Sequence, residues 1–411
     1  MATTAAKGAG VKKSAPVKQK KQKNPNRIKL FNFAGKIDIP MLIITLVLLV
    51  FGITMMFSAG HAQSYADHKN SYAFATRQMI AAAIGLVAMF VATIFDYRVL
   101  RYEFNLKKFG IKFTIAHILL IVTLLITAYT LVGGVSNFDG GPTRWIKVPV
   151  FGTVQPSDFL KVGLIVFMAY YIHKHGKNIR LFKNGYLKPL ILFAVVAVIM
   201  LGQPHMSGLL IMTLICGFML YIGGINWKPA VFVIVFAVLI ILVVLQFSDF
   251  TYFWDRIKYT FDPLADVRGK TFQSYQAILA VGSGGVWGVG FGNSAQKYDY
   301  LPEAQNDFVY AVLCEEFGFV GGLAVIVLFL IFVFRGFHIA RKAEDHFGMM
   351  LATGITLHMG IQAFLNIGVN VCCVPNTGIS MPFFSYGGTA LVVQLVEIGL
   401  LLGVSKRANL N

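Results

Sequence analysis

One carboxylate stands out by its setting. Asp307 follows a polar stretch, Leu301-Pro302-Glu303-Ala304-Gln305-Asn306, and opens the strongly apolar run that starts at Phe308. A carboxylate at such a boundary is partly desolvated. That raises its proton affinity above a reference pKa near about 3.9 and suits it to general-base work. Glu303, four residues earlier, shares a face with Asp307 if one helix includes both. A plain structural reading competes, because Asn306 or Asp307 can also cap the following helix. Glu315 and Glu316 lie two turns deeper, where a charge normally faces a protein interior or a cavity.

Cationic and polar groups form the second set. Arg77 with Gln78 opens an apolar run, and a guanidinium there is either a snorkelling surface group or a fork for two phosphate oxygens. Arg144 and Trp145 sit in Gly140-Gly141-Pro142-Thr143-Arg144-Trp145-Ile146, a stretch whose glycines and proline predict a structured loop. Gln155-Pro156-Ser157-Asp158-Phe159-Leu160-Lys161 follows. Ser157 and Asp158 are placed to cap the next helix, and Asp158 suits a helix N-terminus. Lys161 shares a face with Asp158, as an ion-pair partner or as a phosphate-binding lysine. His205, in Gln203-Pro204-His205-Met206-Ser207-Gly208, is either a turn residue or a hydrogen-bonding group for a substrate. Ser385 belongs to a proline- and glycine-interrupted segment, Pro375 to Thr389, which is tolerated at membrane depth only where it lines a protein cavity.

The elements that must hold these groups are membrane helices. Of 411 residues 56% are hydrophobic and 13% charged, against about 25% charged in soluble domains. Apolar runs of about 20 residues recur. Ten spans are expected, beginning near Ile39, Gln78, Phe113, Phe159, Pro189, Gly208, Pro229, Phe308, Met349 and Phe384. The reading is an all-α polytopic membrane protein of about ten transmembrane helices, with a large extracytoplasmic loop between helices 7 and 8. Most of the 36 Lys and Arg fall in the tail and in alternate loops. The positive-inside rule therefore places both termini in the cytoplasm and the 249–306 loop outside. The aromatic stretch around Trp254 reads as a membrane-surface segment. The glycine-rich stretch from Gly282 reads as a wet, flexible surface loop. Its Gly288-x-Gly290-x-Gly292 is no nucleotide fingerprint, since no strand precedes it.

Residues 1–36 carry ten Lys/Arg and no acid, which predicts a disordered basic cytoplasmic tail on anionic lipid ahead of a single membrane domain at 37–411. The net charge of +18 is thus mainly a topology signal, and no stacking platform points to nucleic acid. Cys216, Cys314, Cys372 and Cys373 read as small buried apolar residues, without disulfide or metal spacing.

The blocks GGPTRWI…QPSDFLK, QPHMSG, SYQAILAVGSGGVWGVGFGNSAQK, YLPEAQNDFVYAVLCEEFGFVG and PNTGISMPFFSYGGT closely resemble the SEDS family (shape, elongation, division, sporulation), with RodA, FtsW and SpoVE among its members. The resemblance runs from about Asp38 to Arg407. It implies a ten-span enzyme that polymerises lipid II into peptidoglycan glycan strands. It places the family's essential aspartate on Asp307 and its polar groups on Arg144, Trp145, Asp158 and Lys161. The family's arginine–glutamine pair falls on Arg77 and Gln78. His205 stands where many members have an acid, and Val374-Pro375-Asn376 where many have Leu-Pro-x. Both departures lean toward the FtsW/SpoVE branch. Implied partners are lipid II, undecaprenyl pyrophosphate-linked glycan, membrane lipids and a class B penicillin-binding protein transpeptidase. No cofactor is certain; a divalent cation, Mg or Mn, is compatible with the chemistry, although the sequence shows no metal cage. Two rival classes share the resemblance, a lipid II flippase and a non-catalytic scaffold for the transpeptidase.

Overall fold

The computed structural model describes residues 30–106, 111–136, 143–148, 152–226, 259–260, 262–269, 271–298, 300–376 and 378–408. The expected seventh span from Pro229, the aromatic stretch around Trp254 and the tail up to residue 29 lie outside these residues. The described helices are α1 (Ile39–His68), α2 (Ala73–Ile94), α3 (Ile115–Gly133), α4 (Pro156–His175), α5 (Lys188–Gly202), α6 (Met206–Ile222), α7 (Phe272–Ser283), α8 (Val309–Lys342), α9 (His346–Asn370) and α10 (Gly388–Ser405). Two short antiparallel hairpins accompany them, β1 (Glu103–Leu106) with β2 (Ile111–Thr114), and β3 (Ile146–Val148) with β4 (Gly152–Val154).

Seven apolar segments among the described residues are long enough to cross a membrane. α4 is equally long but carries Asp158 and Lys161, and α6 is shorter. The chain is a multi-pass membrane protein. α9 is its centre: it packs against α8, α4, α6 and α10, while α10 lies along α2. α9 and α10 are mostly buried, whereas α1, α2, α3, α5 and α8 leave most of their apolar surface outward, as lipid-facing helices do.

Two expected starts move by four or five residues. α2 begins at Ala73 rather than Gln78, which draws Arg77 and Gln78 inside the helix. α10 begins at Gly388 rather than Phe384, because Met381 to Tyr386 winds through turns with Phe383 at φ +66°.

At the end where α1 starts and α10 finishes, ion pairs lock the helices. Asp38 caps α1 by accepting from the Met41 N–H, and takes two guanidinium bonds from Arg335 of α8, Nε at 2.9 Å and Nη2 at 2.7 Å. Asp96 receives both Arg98 and Arg407.

The glycine-rich stretch is exposed along most of its length, Trp287 at 80%, but its backbone is pinned to a broken helix. α8 breaks at Gly318, whose φ of 68° and ψ of −166° are essentially restricted to glycine. The break strands carbonyls, and stranded carbonyls at membrane depth need donors. Val289 and Gly290 donate to the Glu315 and Glu316 carbonyls at 3.0 Å each. In return Phe319 and Val320 donate to Gly285 and Val286 at 2.9 and 3.2 Å. A Cβ on Gly288 would stand 2.2 Å from the Glu316 carbonyl oxygen, so only a bare backbone fits there.

Below this interlock the two deep carboxylates find partners. Lys297 Nζ donates to Glu316 at 2.9 Å, to Ser58 Oγ at 3.1 Å and to the Gly292 carbonyl at 2.6 Å. Ser294 Oγ and the Ala295 N–H donate to Glu315. Glu315 and Glu316 therefore face a protein interior, as their depth requires.

Candidate active site

Asp307 sits in the turns that lead from Leu301 to α8 and is half-buried. Neither it nor Asn306 provides the N-cap: that residue is Phe308, which has no side-chain cap bond. The Ala311 N–H of the first turn is taken instead by Asn370 Oδ1 of α9, at 2.9 Å. A cap supplied from a neighbouring helix relieves the sequence-local residues of that duty. Glu303 does not share a helical face with Asp307. It lies at φ +58° in the turn, where its carbonyl accepts from Asn306 and Asp307 and its carboxylate from the Asn306 amide.

The Asp307 backbone is held from α9. Its carbonyl accepts from Asn366 Nδ2 at 2.8 Å and from Asn370 Nδ2 at 3.0 Å. The segment before α10 lies against its side chain, for a Cβ on Gly378 would stand 3.4 Å from Asp307 Oδ2. Tyr386 N–H donates to the Gln305 carbonyl at 2.8 Å, which ties the same segment to the Asp307 turn. Left-handed backbone occurs at Glu303, in the Asp307 turn, and at Phe383, in the segment before α10. Such conformations cost on the order of 1–3 kcal/mol each and gather at functional sites.

Gln78 and Ser385 frame that segment. Gln78 is fully buried, donating to the Ser385 carbonyl and accepting from the Gly387 N–H, both at 3.2 Å. Ser385 Oγ accepts from the Met381 N–H at 2.6 Å. Both groups are thus spent on the chain itself, while Arg77 beside them is exposed.

A second polar cluster lies where α4 and α6 begin. Lys161 Nζ bonds Asp158 Oδ1 at 2.9 Å, and both side chains are buried. The N-cap of α4 is Gln155, without a side-chain cap bond, so neither Ser157 nor Asp158 caps the helix. Asp158 pairs with Lys161 from inside the first turn, where the helix dipole also favours it. Arg144 donates through Nε to the Gln203 carbonyl at 3.1 Å and through Nη2 to the Pro204 carbonyl. Trp145 next to it pairs its backbone with Val135. His205 is buried in the turn between α5 and α6. Burial first, then the positive charges of Arg144 and Lys161, push its imidazole down to about 3. It is therefore neutral at neutral pH. Its Nδ1 and the Ser157 hydroxyl have no hydrogen-bond partner among the described residues. Buried polar atoms of this kind are rare and normally meet a ligand or water.

Sequence reasoning missed Lys297 and the amides of α9. The α9 residues carry a readable signal, His358, Gln362, Asn366 and Asn370 at spacing four inside an apolar helix. Cys216 and Cys314 are buried as expected, but Cys372 is half-buried and Cys373 exposed, because the chain leaves α9 just before them. Among the described residues no three His, Cys, Asp or Glu side chains converge, so these residues form no protein cage for Mg or Mn.

Comparison with known proteins matches this architecture. A family model described as cell cycle protein, spanning FtsW, RodA and SpoVE, matches residues 39–410. Stage V sporulation protein E of Bacillus subtilis is 37% identical over 379 residues, covering 90% of this chain and 97% of that protein. A probable peptidoglycan glycosyltransferase FtsW of Geobacter metallireducens is 34% identical over 370 residues, covering 90% and 95%. A chain of a peptidoglycan synthase complex that coordinates polymerization and crosslinking superposes with TM-score 0.72 at 22% identity, over 91% of this chain and 99% of that one. The rod shape determining protein RodA of Thermus thermophilus gives TM-score 0.63 at 23% identity, over 91% and 98%. At such identities the solved structures speak for the fold, and the sequence relatives for descent. With its fold, its motif blocks and its relatives in agreement, the chain belongs to the FtsW, RodA and SpoVE family of cell cycle proteins.

Proposed function

We propose that this protein is a peptidoglycan glycosyltransferase that polymerises lipid II into β-1,4-linked glycan strands, with Asp307 as general base. The observation that carries the assignment is the setting of Asp307. Its carboxylate lies against the Gly378 segment while its backbone is fixed by two amides from the central helix. In the reaction, Asp307 takes the proton from the 4-hydroxyl of an incoming lipid II. That oxygen forms a bond to the anomeric carbon of the undecaprenyl pyrophosphate-linked glycan. The bond from that carbon to the pyrophosphate oxygen breaks with inversion, and the pyrophosphate leaves with the electron pair. Charge builds on the leaving group, where Arg77, Arg144 and Lys161 are the candidates to stabilise it. His205 and Ser157 offer buried polar atoms to the sugar or peptide portion. Trp145 and Glu303 border the two clusters.

The charge pattern supports an orientation with both termini in the cytoplasm and the Asp307 end outside, in a bacterial cytoplasmic membrane. Exposed Cys373 at the Asp307 end tests this directly. A membrane-impermeant maleimide should label it in intact cells, and a Cys373→Ser variant should lose the signal; labelling only after lysis contradicts the orientation. A class B penicillin-binding protein is the expected partner, so that strands are crosslinked where they are made.

Catalysis is separated from lipid transport by detergent-purified protein and labelled lipid II, because a micelle has no second leaflet. A ladder of glycan products supports the transferase. No ladder, with or without a transpeptidase partner, favours a flippase or a scaffold.

A further inference from the structure

Four of the buried polar side chains of α9 are His358, Gln362, Asn366 and Asn370, none more than 2% exposed. Their spacing of four residues puts them on one helix face. Buried polar groups are costly unless every one is paired, and here each is. His358 Nδ1 meets Glu397 of α10 at 2.8 Å, and its Nε2 meets Gln362 Oε1 at 2.9 Å. Gln362 Nε2 donates to the Ser380 carbonyl at 2.9 Å and to its hydroxyl at 3.1 Å. A carbonyl can only accept, so the Gln362 amide is oriented and His358 Nε2 must be the donor to it. The hydrogen bonds thus run in one direction, from the His358–Glu397 pair toward Ser380.

The next rung couples two strands of the site. One amide nitrogen, Asn366 Nδ2, donates both to the Ile379 carbonyl at 2.6 Å and to the Asp307 carbonyl at 2.8 Å. Ile379 follows Gly378, the residue that faces the Asp307 carboxylate. That single amide therefore sets the gap between the carboxylate and the segment opposite it. Asn370 adds the second bond to Asp307 and caps α8 through Ala311.

We propose that Asn366 and Asn370 are positioning residues for Asp307, backed by the Gln362–His358–Glu397 ladder, which holds Ser380, two residues beyond Gly378. This rests on the reading of Asp307 as general base. The two asparagines act through the backbone, so their loss shifts where the carboxylate stands without removing it. A displacement near 1 Å from a productive geometry costs on the order of a hundredfold in rate.

The test is initial glycan-polymerisation rates against labelled lipid II concentration for purified wild type, Asn366→Asp, Asn370→Asp and Asp307→Asn, with unfolding temperature measured on each. An aspartate at 370 keeps an acceptor for the Ala311 N–H but loses the donors to Asp307. The expected result is a kcat lower by roughly tenfold to a hundredfold for both asparagine variants, with KM within about threefold of wild type. Folded variants with wild-type kcat overturn the proposal, as does a KM that rises while kcat holds. Should Asn366→Asp fail to fold, Asn370→Asp carries the test alone. Failure of both to fold shows that these amides serve the fold as a whole and also overturns it. An Asp307→Asn protein with wild-type rate sinks the base assignment itself. An inactive Asp307→Asn beside normal asparagine variants sinks only the positioning.

Discussion

The two polar clusters at the Asp307 end are built on opposite terms. Where α4 and α6 begin, cationic side chains are held by the chain around them: Lys161 bonds Asp158, and Arg144 bonds the carbonyls of Gln203 and Pro204. At the Asp307 turn the neighbouring helix grips the main chain instead, through the amides of Asn366 and Asn370. The difference teaches what each region tolerates. Main-chain bonds from α9 hold the Asp307 turn in either protonation state of the carboxylate, as a general base needs. A residue fixed through its charge cannot change charge without cost.

Substitution at the paired carboxylate should break the comparison most sharply. Asp158→Asn leaves Lys161 buried and unpaired, a loss of about 3–5 kcal/mol for a broken buried pair. Asp307→Asn keeps every backbone bond of its turn and should unfold near the wild-type temperature. Thermal unfolding in detergent compares them; equal losses would erase the distinction. Adding Lys161→Met to Asp158→Asn should restore stability while leaving polymerisation low, because the anion contact is gone. Recovery of both would make the pair structural only.

A smaller effect is expected at the interlock. Gly318→Ala forces a side chain into a backbone region essentially closed to it, at a cost on the order of 1–3 kcal/mol. Its added Cβ would also stand 2.4 Å from the Gly288 nitrogen. Unfolding by heat measures this, and an unchanged transition would contradict the broken-helix account.

The smallest effect concerns pH. His205 has its folded pKa pushed down to about 3, below the usual value of 6.5. The unfolded chain therefore binds a proton first as acid is added, so the contribution is full above about 6.5 and fades as pH falls toward 3. His205→Gln should flatten the decline of unfolding temperature between pH 7 and 5. An identical slope in both proteins would show that His205 is not the titrating group.

Much of this was legible in the sequence because membrane helices follow composition. The starts of α1, α5, α6 and α8 fall within two residues of where the apolar runs predict them. The Asp158–Lys161 pair was readable from spacing, since positions three apart share a helix face. Asp307 was visible from its boundary position, but the arrangement around it was not. Which helix caps α8, and which amides reach the Asp307 carbonyl, depend on α9 lying alongside, a tertiary fact. The same holds for the glycine stretch: composition shows flexibility, whereas the broken α8 that it fills is created only when Gly318 and Gly288 meet. Lys297 gave no local signal, because its partners Glu316 and Ser58 come from α8 and α1.

Whether Asp307 takes the proton in glycan polymerisation is decided by its own substitution. Initial rates from labelled lipid II, with purified wild type and Asp307→Asn at matched concentration and matched unfolding temperature, isolate the carboxylate from the fold. The asparagine protein should be slower by roughly 10²–10⁴, the usual worth of a general base. Polymerisation at the wild-type rate by a folded Asp307→Asn protein would contradict it.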